Sequence, residues 1–413
     1  MNDTLPHFGI LLSNAVNKKS FIYTILADCN KEQLALFNGK NGVLFSDLVI
    51  DQIIEKEHRH QSVEIAKSQN RALQTFSSGE RRKVLLDYCL SQNPDFIILD
   101  NPFGHLDQSS RNELSEYMIA VSSRLSIIQL DHQEANLLPC ITDKGYVYDN
   151  SFEIHPTPNS LQHSTVASLD LPDTLITFDK TFQIIVKFKN VTISYDDQTI
   201  VKGITWEVKQ GEFWQLIGPN GSGKSTLLSL ISGENPKAYG QNIILFDRKK
   251  GSGESVWDIK KNIGNFSTSI AELFQRHQTV EQMVLSGFFD SVGLYKKPSG
   301  LQMKKAMQWL ETIGMSEFKN VSFHKLSLGQ QRLVLIVRAL IKQPPLLILD
   351  EPFEGLDKEN CSMIAQLINA IIQTTDITVI YVSHTLEESL VPSHIYELEP
   401  REGGSIGHLR CFL

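Results

Sequence analysis

The 413-residue sequence has little cysteine and no excess of positive charge. Its five cysteines stand singly, without a C-x-x-C pair, which argues against a zinc site, a dithiol redox centre or a disulfide framework and favours a reducing compartment. The formal net charge of -8 provides no general attraction to nucleic-acid phosphate. We therefore expect no nucleic acid as a partner.

The sequence also lacks a long uncharged apolar run. A membrane span needs about 18 such residues, and even the apolar segment after Arg332 is interrupted by Arg338, Lys342 and two prolines. The first ten residues, MNDTLPHFGI, show neither the basic nor the apolar region of a signal peptide. These absences predict a cytoplasmic location, with a peripheral position on the inner face of the cell membrane as the open alternative.

One stretch of the sequence occurs twice. FIILDNPFGHLD runs from Phe96 to Asp107, and LLILDEPFEGLD runs from Leu346 to Asp357. LSLGQ follows FSSGE at the same offset of 250 residues that separates Asp350 from Asp100, and VSH follows LDH at an offset of 252. Three landmarks in one order indicate a duplicated domain.

The segment between the copies contains three prolines and little periodic pattern, which is typical of a linker. We predict a first domain over residues 1–150, a linker over 151–182 and a second domain over 183–413. In the second copy, alternating runs predict antiparallel strands, whereas LLILD and TVIYVS are uninterrupted apolar runs of the kind found in buried parallel strands. The fold class predicted is α/β.

A glycine-rich turn lies between an apolar strand and a helix in the second copy. GPNGSGKS matches G-x-x-x-x-G-K-[ST], in which glycines let backbone N–H groups approach phosphate, the lysine neutralises charge and the hydroxyl binds Mg²⁺. A plain surface turn is the alternative, and the position between strand and helix argues against it. The residues predicted to bind ATP here are Gly218, Pro219, Asn220, Gly221, Ser222, Gly223, Lys224, Ser225 and Thr226.

Two acidic residues end the apolar strand that follows. Asp350 is placed to hold Mg²⁺ together with Ser225, and Glu351 is placed to orient or deprotonate the attacking water. An acidic turn at a strand end would be the simpler interpretation if the glycine-rich loop were absent. The expected cofactors are ATP and Mg²⁺, with Lys224 and Glu351 in the reaction.

The order of LSLGQQR, LLILDEP, GLD and VSH resembles the signature, Walker B, D-loop and switch motifs of the ATP-binding cassette (ABC) family. The resemblance covers both copies and implies two tandem P-loop NTPase domains, each a mostly parallel sheet with flanking helices, the second with an antiparallel β annex. Residues 251–264 and 285–295, with GQQRLVLIVRALIKQPPLLILDEP, are closer to tandem cassettes associated with molybdate transport.

The resemblance implies roles for further residues. Tyr195 matches the aromatic residue that stacks on adenine, although a lone strand tyrosine is more often a packing residue. His384 matches the switch histidine at the γ-phosphate, and Asp357 matches the D-loop aspartate. Ser327 and Gly329 belong to the signature, which binds nucleotide held by the opposite domain.

Both copies depart from the family pattern. In the second, Ser267, Thr268 and Ser269 stand where the Q-loop glutamine is expected, and Leu328 replaces a signature glycine. In the first, the segment 12–20 keeps Lys19 and Ser20 as the predicted phosphate-loop pair but has no glycine. Tight ATP binding by the first copy is therefore not expected.

The departures predict an asymmetric intramolecular pseudo-dimer. Family members pair head to tail, so the complete site of the second copy would be closed by Ser77, Gly79 and Glu80 of the first. The first copy has Asn101 where the second has Glu351, and an amide cannot accept a proton. A decaying duplicate is the alternative explanation for the damaged copy.

The resemblance favours an ATPase that energises a transporter whose transmembrane subunits are separate chains, with import of molybdate or another anion implied only by the closer likeness. A soluble tandem ATPase with a regulatory or ribosome-associated role is the alternative, and the missing glutamine supports it. A nucleotide-gated binding module without turnover is a third possibility, which the presence of Glu351 disfavours.

Overall fold

The computed structural model describes residues 5–28, 32–60, 72–76, 78–104, 106–157, 171–172, 181–274, 278–383 and 389–410. The chain divides into two compact units. Unit 1 contains Met1–Ser164 and Glu354–Glu359, and unit 2 contains Thr165–Phe353 and Asn360–Leu413. Within the ranges described, none of the helices has the length and apolar character needed to span a membrane.

Unit 1 alternates strands with helices. Its elements are β1 (His7–Leu12), α1 (Lys18–Asp28), β2 (Gly42–Phe45), α2 (Asp47–His60), α3 (Ser78–Ser91), β3 (Phe96–Asp100), α4 (Gln108–Ser122), β4 (Ser126–Asp131) and β5 (Asp143–Val147). The strands pair in parallel in the order β2-β3-β4-β1-β5. The paired consecutive strands, β2 with β3 and β3 with β4, are thus joined by helical crossovers, as parallel pairing requires.

The central strands of unit 1 are covered on both faces. All five residues of β3 are buried. Ile97 and Leu99 belong to the hydrophobic cluster that includes residues of α2, α3 and α4, whereas Phe96 and Ile98 belong to the cluster that includes residues of α1. Because side chains alternate across a strand, an uninterrupted apolar sequence is what a two-sided core requires.

Unit 2 combines two sheets. Its elements are β6 (Ile184–Tyr195), β7 (Gln198–Lys209), β8 (Phe213–Ile217), α5 (Lys224–Ile231), β9 (Ile243–Leu245), β10 (Arg248–Lys249), α6 (Val256–Lys260), β11 (Ile263–Ser267), α7 (Val280–Ser286), α8 (Gly300–Thr312), α9 (Leu328–Leu340), β12 (Leu346–Asp350), α10 (Lys358–Thr374), β13 (Thr378–Ser383), β14 (His394–Glu399) and β15 (Ile406–Arg410). The first two residues of α10 fall in unit 1.

The six-stranded sheet of unit 2 has the order β11-β12-β13-β8-β14-β15 and is parallel except for β15. Its first five strands repeat the order found in unit 1, with β8 in the place of β1 and β12 in the place of β3. The second sheet, β10-β9-β6-β7, is antiparallel. These topologies confirm the predicted α/β class, with mostly parallel sheets and an antiparallel annex in the second copy.

The annex is anchored to the large sheet of unit 2 by aromatic packing. The ring of Trp206 in β7 stacks on that of Tyr396 in β14, with centroids 4.8 Å apart. The Tyr396 hydroxyl donates to the Thr205 carbonyl oxygen at 3.0 Å, so the buried phenol has a polar partner. The middle of β7, which pairs with β6 at Phe188, is therefore fixed to the large sheet.

The predicted linker, residues 151–182, begins inside unit 1. His155 forms an antiparallel bridge with Tyr146 of β5, and the Phe152 ring packs on Phe21 with centroids 5.4 Å apart. Residues 158–170 and 173–180 of this segment lie outside the described residues. The boundaries at 150 and 182 stay predictions.

Candidate functional site

Unit 2 contains a cavity of about 460 Å³ where the loop after β8 meets the carboxyl end of β12. Clefts of this size at the carboxyl ends of parallel strands are common ligand sites in α/β proteins. The lining residues are Tyr195, Ile200, Asn220, Gly221, Ser222, Gly223, Lys224, Ser225, Thr226, Thr268, Asp350 and Glu351. The cavity thus brings together the glycine-rich turn, the strand-end acids and the predicted adenine-stacking residue.

The glycines of the loop are required by its backbone. Gly221 and Gly223 have φ of 76° and 97°, in the left-handed region that side chains disfavour. A Cβ added to Gly223 would also lie 2.5 Å from Val201 Cγ1. The chain then enters α5 directly at Lys224, so that the first turn of this helix faces the cavity. A helix N-terminus behind a glycine turn favours a bound anion.

The lysine of the loop is folded back over it. Lys224 Nζ donates to the carbonyl oxygens of Gly218 at 2.5 Å and Pro219 at 3.1 Å. Gly218 and Pro219 therefore hold this ammonium group at the cavity. The Ser222 hydroxyl is buried in the same loop and has no hydrogen-bond partner in the part of the chain that the structure describes. A bound phosphate would satisfy such a group.

The acidic pair stands on a constrained turn. Asp350 is the last residue of β12, and Glu351 follows with φ of 52°. The Glu351 amide donates to the Val382 carbonyl oxygen at 2.9 Å, and Arg332 Nη1 donates to the Glu351 carbonyl oxygen at 2.9 Å. Hydrogen bonds to its backbone N–H and carbonyl oxygen therefore fix the position of Glu351 in the cavity wall.

The donor set fits Mg²⁺. The Ser225 hydroxyl and the Asp350 carboxylate are hard oxygen ligands, and both residues line the cavity beside Lys224. Among the described residues no group of three or more His, Cys, Asp and Glu side chains could form an all-protein metal site. This pattern suits an ion that takes one or two ligands from the protein and the others from phosphate and water.

Tyr195 lies at the outer end of the site. It is the last residue of β6, its side chain is 40% exposed, and it lines the same cavity as the loop. A buried packing tyrosine, the simpler interpretation of the sequence, does not describe this position. The ring offers an open apolar surface to a planar ligand.

The register of unit 1 corrects one prediction about its phosphate-loop counterpart. Leu11 of β1 pairs with Asp131, and Ile217 of β8 pairs with Ser383, at equivalent positions of the two sheets. Lys18 begins α1 seven residues after Leu11, just as Lys224 begins α5 seven residues after Ile217. Lys18, and not Lys19, is therefore the counterpart of Lys224. The prediction failed because it had no glycine to anchor the alignment.

Lys18 is committed to an internal ion pair. Its Nζ lies 2.8 Å from Asp100 Oδ1, and the Asp100 side chain is 6% exposed. Asp100 ends β3 at the position of Asp350 in β12. In unit 1 an ammonium group therefore occupies the neighbourhood of the carboxylate that would hold a metal ion.

The backbone of the unit 1 loop is also satisfied internally. Each amide from residue 13 to residue 17 donates to an acceptor in unit 1: Ser13 to Val147 O, Asn14 to Asp357 Oδ2, Ala15 to Ser13 Oγ, Val16 to Ser13 O and Asn17 to Asn150 Oδ1, at 2.7 to 3.2 Å. Asn14, Ala15 and Asn17 correspond to Asn220, Gly221 and Gly223 of the glycine loop, whereas Ser13 corresponds to Pro219, which has no amide hydrogen, and the Val16 bond recurs in unit 2 as Ser222 N to Pro219 O. Asn14, Ala15 and Asn17 therefore carry the difference between the two loops. Binding a phosphate there would require breaking existing hydrogen bonds.

The strand-end turn is nevertheless preserved in unit 1. Asn101 has φ of 45°, its amide donates to the Leu130 carbonyl oxygen at 2.9 Å, and Arg82 Nη1 donates to its carbonyl oxygen at 3.0 Å. Arg82 also pairs with Asp47. The backbone of Glu351 thus has a counterpart whose side chain cannot act as a base.

The remaining predicted residues are placed as follows. Ser77 and His384 lie outside the described residues. Gly79 and Glu80 occupy the first turn of α3 in unit 1. In the signature of unit 2, Ser327 caps α9 and forms a capping box with Gln330. Their proposed roles at a nucleotide stay predictions.

The sequence pattern missed one lining residue and left another open. Ile200 lies in β7, and its contribution depends on the hairpin register that brings it beside the glycine loop. Thr268, one of three residues at the glutamine position, lines the cavity. The motif could indicate Thr268 by position but contains no signal for Ile200.

Comparisons with known proteins agree with this geometry. A family model described as ABC transporter matches residues 201–354. The chain is 38% identical to the ABC transporter ATP-binding protein ModF of Escherichia coli K12 over 337 residues, covering 78% of this chain and 69% of ModF. It is 30% identical to an uncharacterised ABC transporter ATP-binding protein of Schizosaccharomyces pombe, covering 77% of this chain and 66% of that protein.

A solved structure is also similar to this chain. It is a dimeric ATP-binding cassette in a post-hydrolysis state with bound ADP and Pi, with 26% identity, coverage of 55% of this chain and 100% of that one, and a TM-score of 0.46.

Proposed function

Since this chain belongs to the family of ABC transporter ATP-binding proteins and is an ATPase of that family, we propose that it hydrolyses ATP at a single site, the cavity of unit 2. The observation that carries this proposal is the difference between the two loops. The loop of unit 2 has the glycines and the lysine of a phosphate-binding turn. In unit 1 the amides of Asn14, Ala15 and Asn17, the counterparts of Asn220, Gly221 and Gly223, already donate to protein acceptors.

In the proposed reaction, the amides of the glycine loop and Lys224 hold the β- and γ-phosphates, and Tyr195 stacks on adenine. Ser225 and Asp350 would hold Mg²⁺, which supplies charge neutralisation at the phosphates. Glu351 orients the attacking water and accepts its proton. His384 is proposed, from its motif alone, to contact the γ-phosphate.

The proposal of a single site is tested by binding stoichiometry. Equilibrium dialysis of the full chain with ATP should give one bound nucleotide per chain. Lys224→Ala should remove this binding, whereas Lys18→Ala, the matched substitution in unit 1, should retain it. Two nucleotides per chain, or loss of binding in both variants to the same extent, would contradict the proposal.

For the first copy we propose a supporting role carried by its signature-like segment. Ser77, Gly79 and Glu80 would complete the site of unit 2, as the motif order suggests. Ser77→Arg should then lower turnover by about 10²-fold, because a donor to the transition state is lost. The control is Ser91→Arg at the other end of α3, which should leave turnover unchanged. Equal effects of the two substitutions would remove this role.

The proposed partner is a transporter with separate membrane-spanning subunits. Support comes from the relatives named as ABC transporter ATP-binding proteins, and molybdate or another anion remains a prediction about the cargo. The second candidate is a regulatory tandem ATPase without a membrane partner. The absence of a glutamine among Ser267, Thr268 and Ser269 favours it, because in the family pattern the glutamine couples nucleotide to a docked subunit.

Affinity purification separates these two candidates. The full chain carrying Glu351→Gln is expected to trap ATP and to retain its partner from membrane and soluble fractions. Recovery of an integral membrane protein, absent from a Lys224→Ala control, would support the transporter role. Recovery of ribosomes or of a soluble partner alone would support the second candidate and overturn the first.

A further inference from the structure

The predicted adenine-stacking residue stands at a position that needs support. Tyr195 is the last residue of β6, and only Asp196 and Asp197 separate it from Gln198, the first residue of β7. Tyr195 and Gln198 are the terminal pair of this hairpin, and Asp196 has φ of 49° in the turn. Pairing with Gln198 fixes the backbone of Tyr195 but does not by itself fix the rotamer of its ring. A ring that binds a ligand there requires a tether outside the hairpin.

Such a tether comes from Asn235. Its Nδ2 donates to the Tyr195 hydroxyl oxygen at 2.7 Å and to the Ser229 hydroxyl oxygen at 2.9 Å. Its Oδ1 accepts from the Lys237 amide at 3.0 Å. Because a backbone amide can only donate, the carbonyl side of Asn235 must face Lys237, and both amide hydrogens must face Tyr195 and Ser229.

Asn235 is itself held rigidly. It is 5% exposed, and it caps the short 3₁₀ turn of residues 236–238. The backbone N–H of Asn235 donates to the Ser229 carbonyl oxygen at 3.1 Å. Ser229 lies on α5, the helix that begins at Lys224, and its own hydroxyl donates to the Thr226 carbonyl oxygen at 2.7 Å. A continuous set of hydrogen bonds therefore joins the helix behind the phosphate loop to the phenol of Tyr195.

The protein contacts of the Tyr195 ring leave it accessible from the cavity. Lys237 Nζ lies over the ring, 6.0 Å from its centroid. The hydroxyl is held by Asn235, and the residue, which is 40% exposed, lines the cavity. A planar base bound in the cavity can therefore stack on the ring.

We propose that Asn235 is a positioning residue for the adenine end of the site: it holds the Tyr195 ring at a constant distance from the phosphate-loop helix, so that base and phosphates are bound together. This inference rests on the proposed function. It assigns to Asn235 an effect on the binding of ATP and none on the chemistry at the γ-phosphate.

The test is a double-mutant cycle on the full chain. Asn235→Leu keeps the volume but removes the hydrogen bonds, and Tyr195→Phe removes only the hydroxyl. Each should raise the KM for ATP by about 3- to 10-fold, the effect of one buried hydrogen bond, with kcat changed less than about twofold. The KM of the double variant should be no higher than the larger of the two single-variant values. The control is Gln241→Leu, which removes the side-chain hydrogen bonds of Gln241 to the Thr192 backbone on the same strand as Tyr195 and should leave KM unchanged.

Two results would overturn the positioning role. One is an effect of Asn235→Leu on KM that is as large in the Tyr195→Phe background as in the unmodified chain. The other is a fall in kcat equal to the rise in KM, which would indicate general damage to the fold.

A readout without nucleotide separates this inference from the proposed function. Nitration of Tyr195 by tetranitromethane, followed by mass spectrometry, should be faster in Asn235→Leu than in the unmodified chain, and Gln241→Leu should resemble the unmodified chain. Equal rates in all three would show that the phenol is not tethered, whatever the chain binds. If nitration responds but Tyr195→Ala leaves the KM for ATP unchanged, the tether stands and the stacking role of Tyr195 has failed.

Discussion

The two units build the same five-strand order around loops that use their lysines in opposite ways. In unit 2, Lys224 is drawn over a glycine loop by the Gly218 and Pro219 carbonyl oxygens and faces a cavity. In unit 1, Lys18 begins the equivalent helix and pairs with the buried carboxylate of Asp100. The topology is thus independent of nucleotide chemistry.

The comparison shows what a phosphate loop loses together with its glycines. Without residues that accept positive φ, the unit 1 loop takes a conformation in which its amides find acceptors inside the protein. The lysine then neutralises Asp100, whose burial without a cation would be costly. The loop of unit 1 therefore meets its charge and much of its hydrogen-bonding requirement within the chain.

The largest effect is expected at the strand-end turns. Glu351→Gln should lower ATP turnover by about 10² to 10⁴-fold, because the general base is lost while the backbone turn is kept. The matched substitution Asn101→Glu should give no gain, since Lys18 and the satisfied amides still prevent phosphate binding in unit 1. Steady-state phosphate release measures both. A higher rate of phosphate release in Asn101→Glu than in the unmodified chain would contradict the expectation that unit 1 binds no phosphate.

A smaller effect is expected from the loop backbone. Gly223→Ala places a Cβ 2.5 Å from Val201 Cγ1 at a φ of 97°, and the left-handed region alone should weaken ATP binding by about tenfold or more. Asn17 is the counterpart of Gly223 in unit 1, and Asn17→Ala should leave ATP affinity unchanged. Fluorescence titration with a labelled nucleotide measures both. Equal losses of affinity would remove the distinction between the loops.

The ion pair of unit 1 should contribute to stability and not to catalysis. Lys18→Met leaves the nearly buried Asp100 carboxylate without its cation and should lower the free energy of unfolding of unit 1 by about 1 to 3 kcal/mol. Hydrogen exchange of β3 in the full chain measures this. Adding Asp100→Asn should recover part of the loss, and ATP turnover should change little in either variant. A Lys18→Met chain of unaltered stability would show that the pair is unimportant.

The smallest effect is a pH dependence of unit 1 at His7. Burial lowers the pKa of His7 below its ordinary value of 6.5, and its Nδ1 accepts from the Ile127 amide at 3.3 Å, which requires the neutral ring. Below pH 6.5 the unfolded chain therefore binds a proton that the folded chain resists. The contribution of His7 to the free energy of unfolding is fully present above pH 6.5, and it decreases as the pH falls towards the lowered pKa.

Hydrogen exchange of peptides from the start of β4, corrected for intrinsic rates, should show weaker protection at pH 5.5 than at pH 7.5. His7→Asn retains an acceptor that does not titrate, and it should remove the difference. Protection that depends on pH equally in both chains would assign the effect to another group.

The sequence was sufficient for the features that depend on local pattern. LLILD and TVIYVS predicted buried parallel strands, and the spacing of GPNGSGKS placed the cavity loop between a strand and a helix, as the structure has it. Motifs of this kind are readable because a backbone conformation requires glycine and a phosphate requires a cation.

Features that depend on pairing register could not be predicted in this way. The counterpart of Lys224 was assigned to Lys19 because a loop without glycine offers no reference point, and only the alignment of Leu11 with Ile217 identified Lys18. Ile200 and Asn235 reach the site through a hairpin and a 3₁₀ turn, and neither carries a motif of its own.

The Lys18–Asp100 pair has a consequence for cells in which energy is scarce. A ligand present at a hundred times its dissociation constant adds about 2.7 kcal/mol to the stability of the part that binds it. Unit 2 would gain and lose this increment as ATP levels rise and fall. Unit 1 has its counterion built into the chain, so under the single-site proposal its folding would not follow the ATP level.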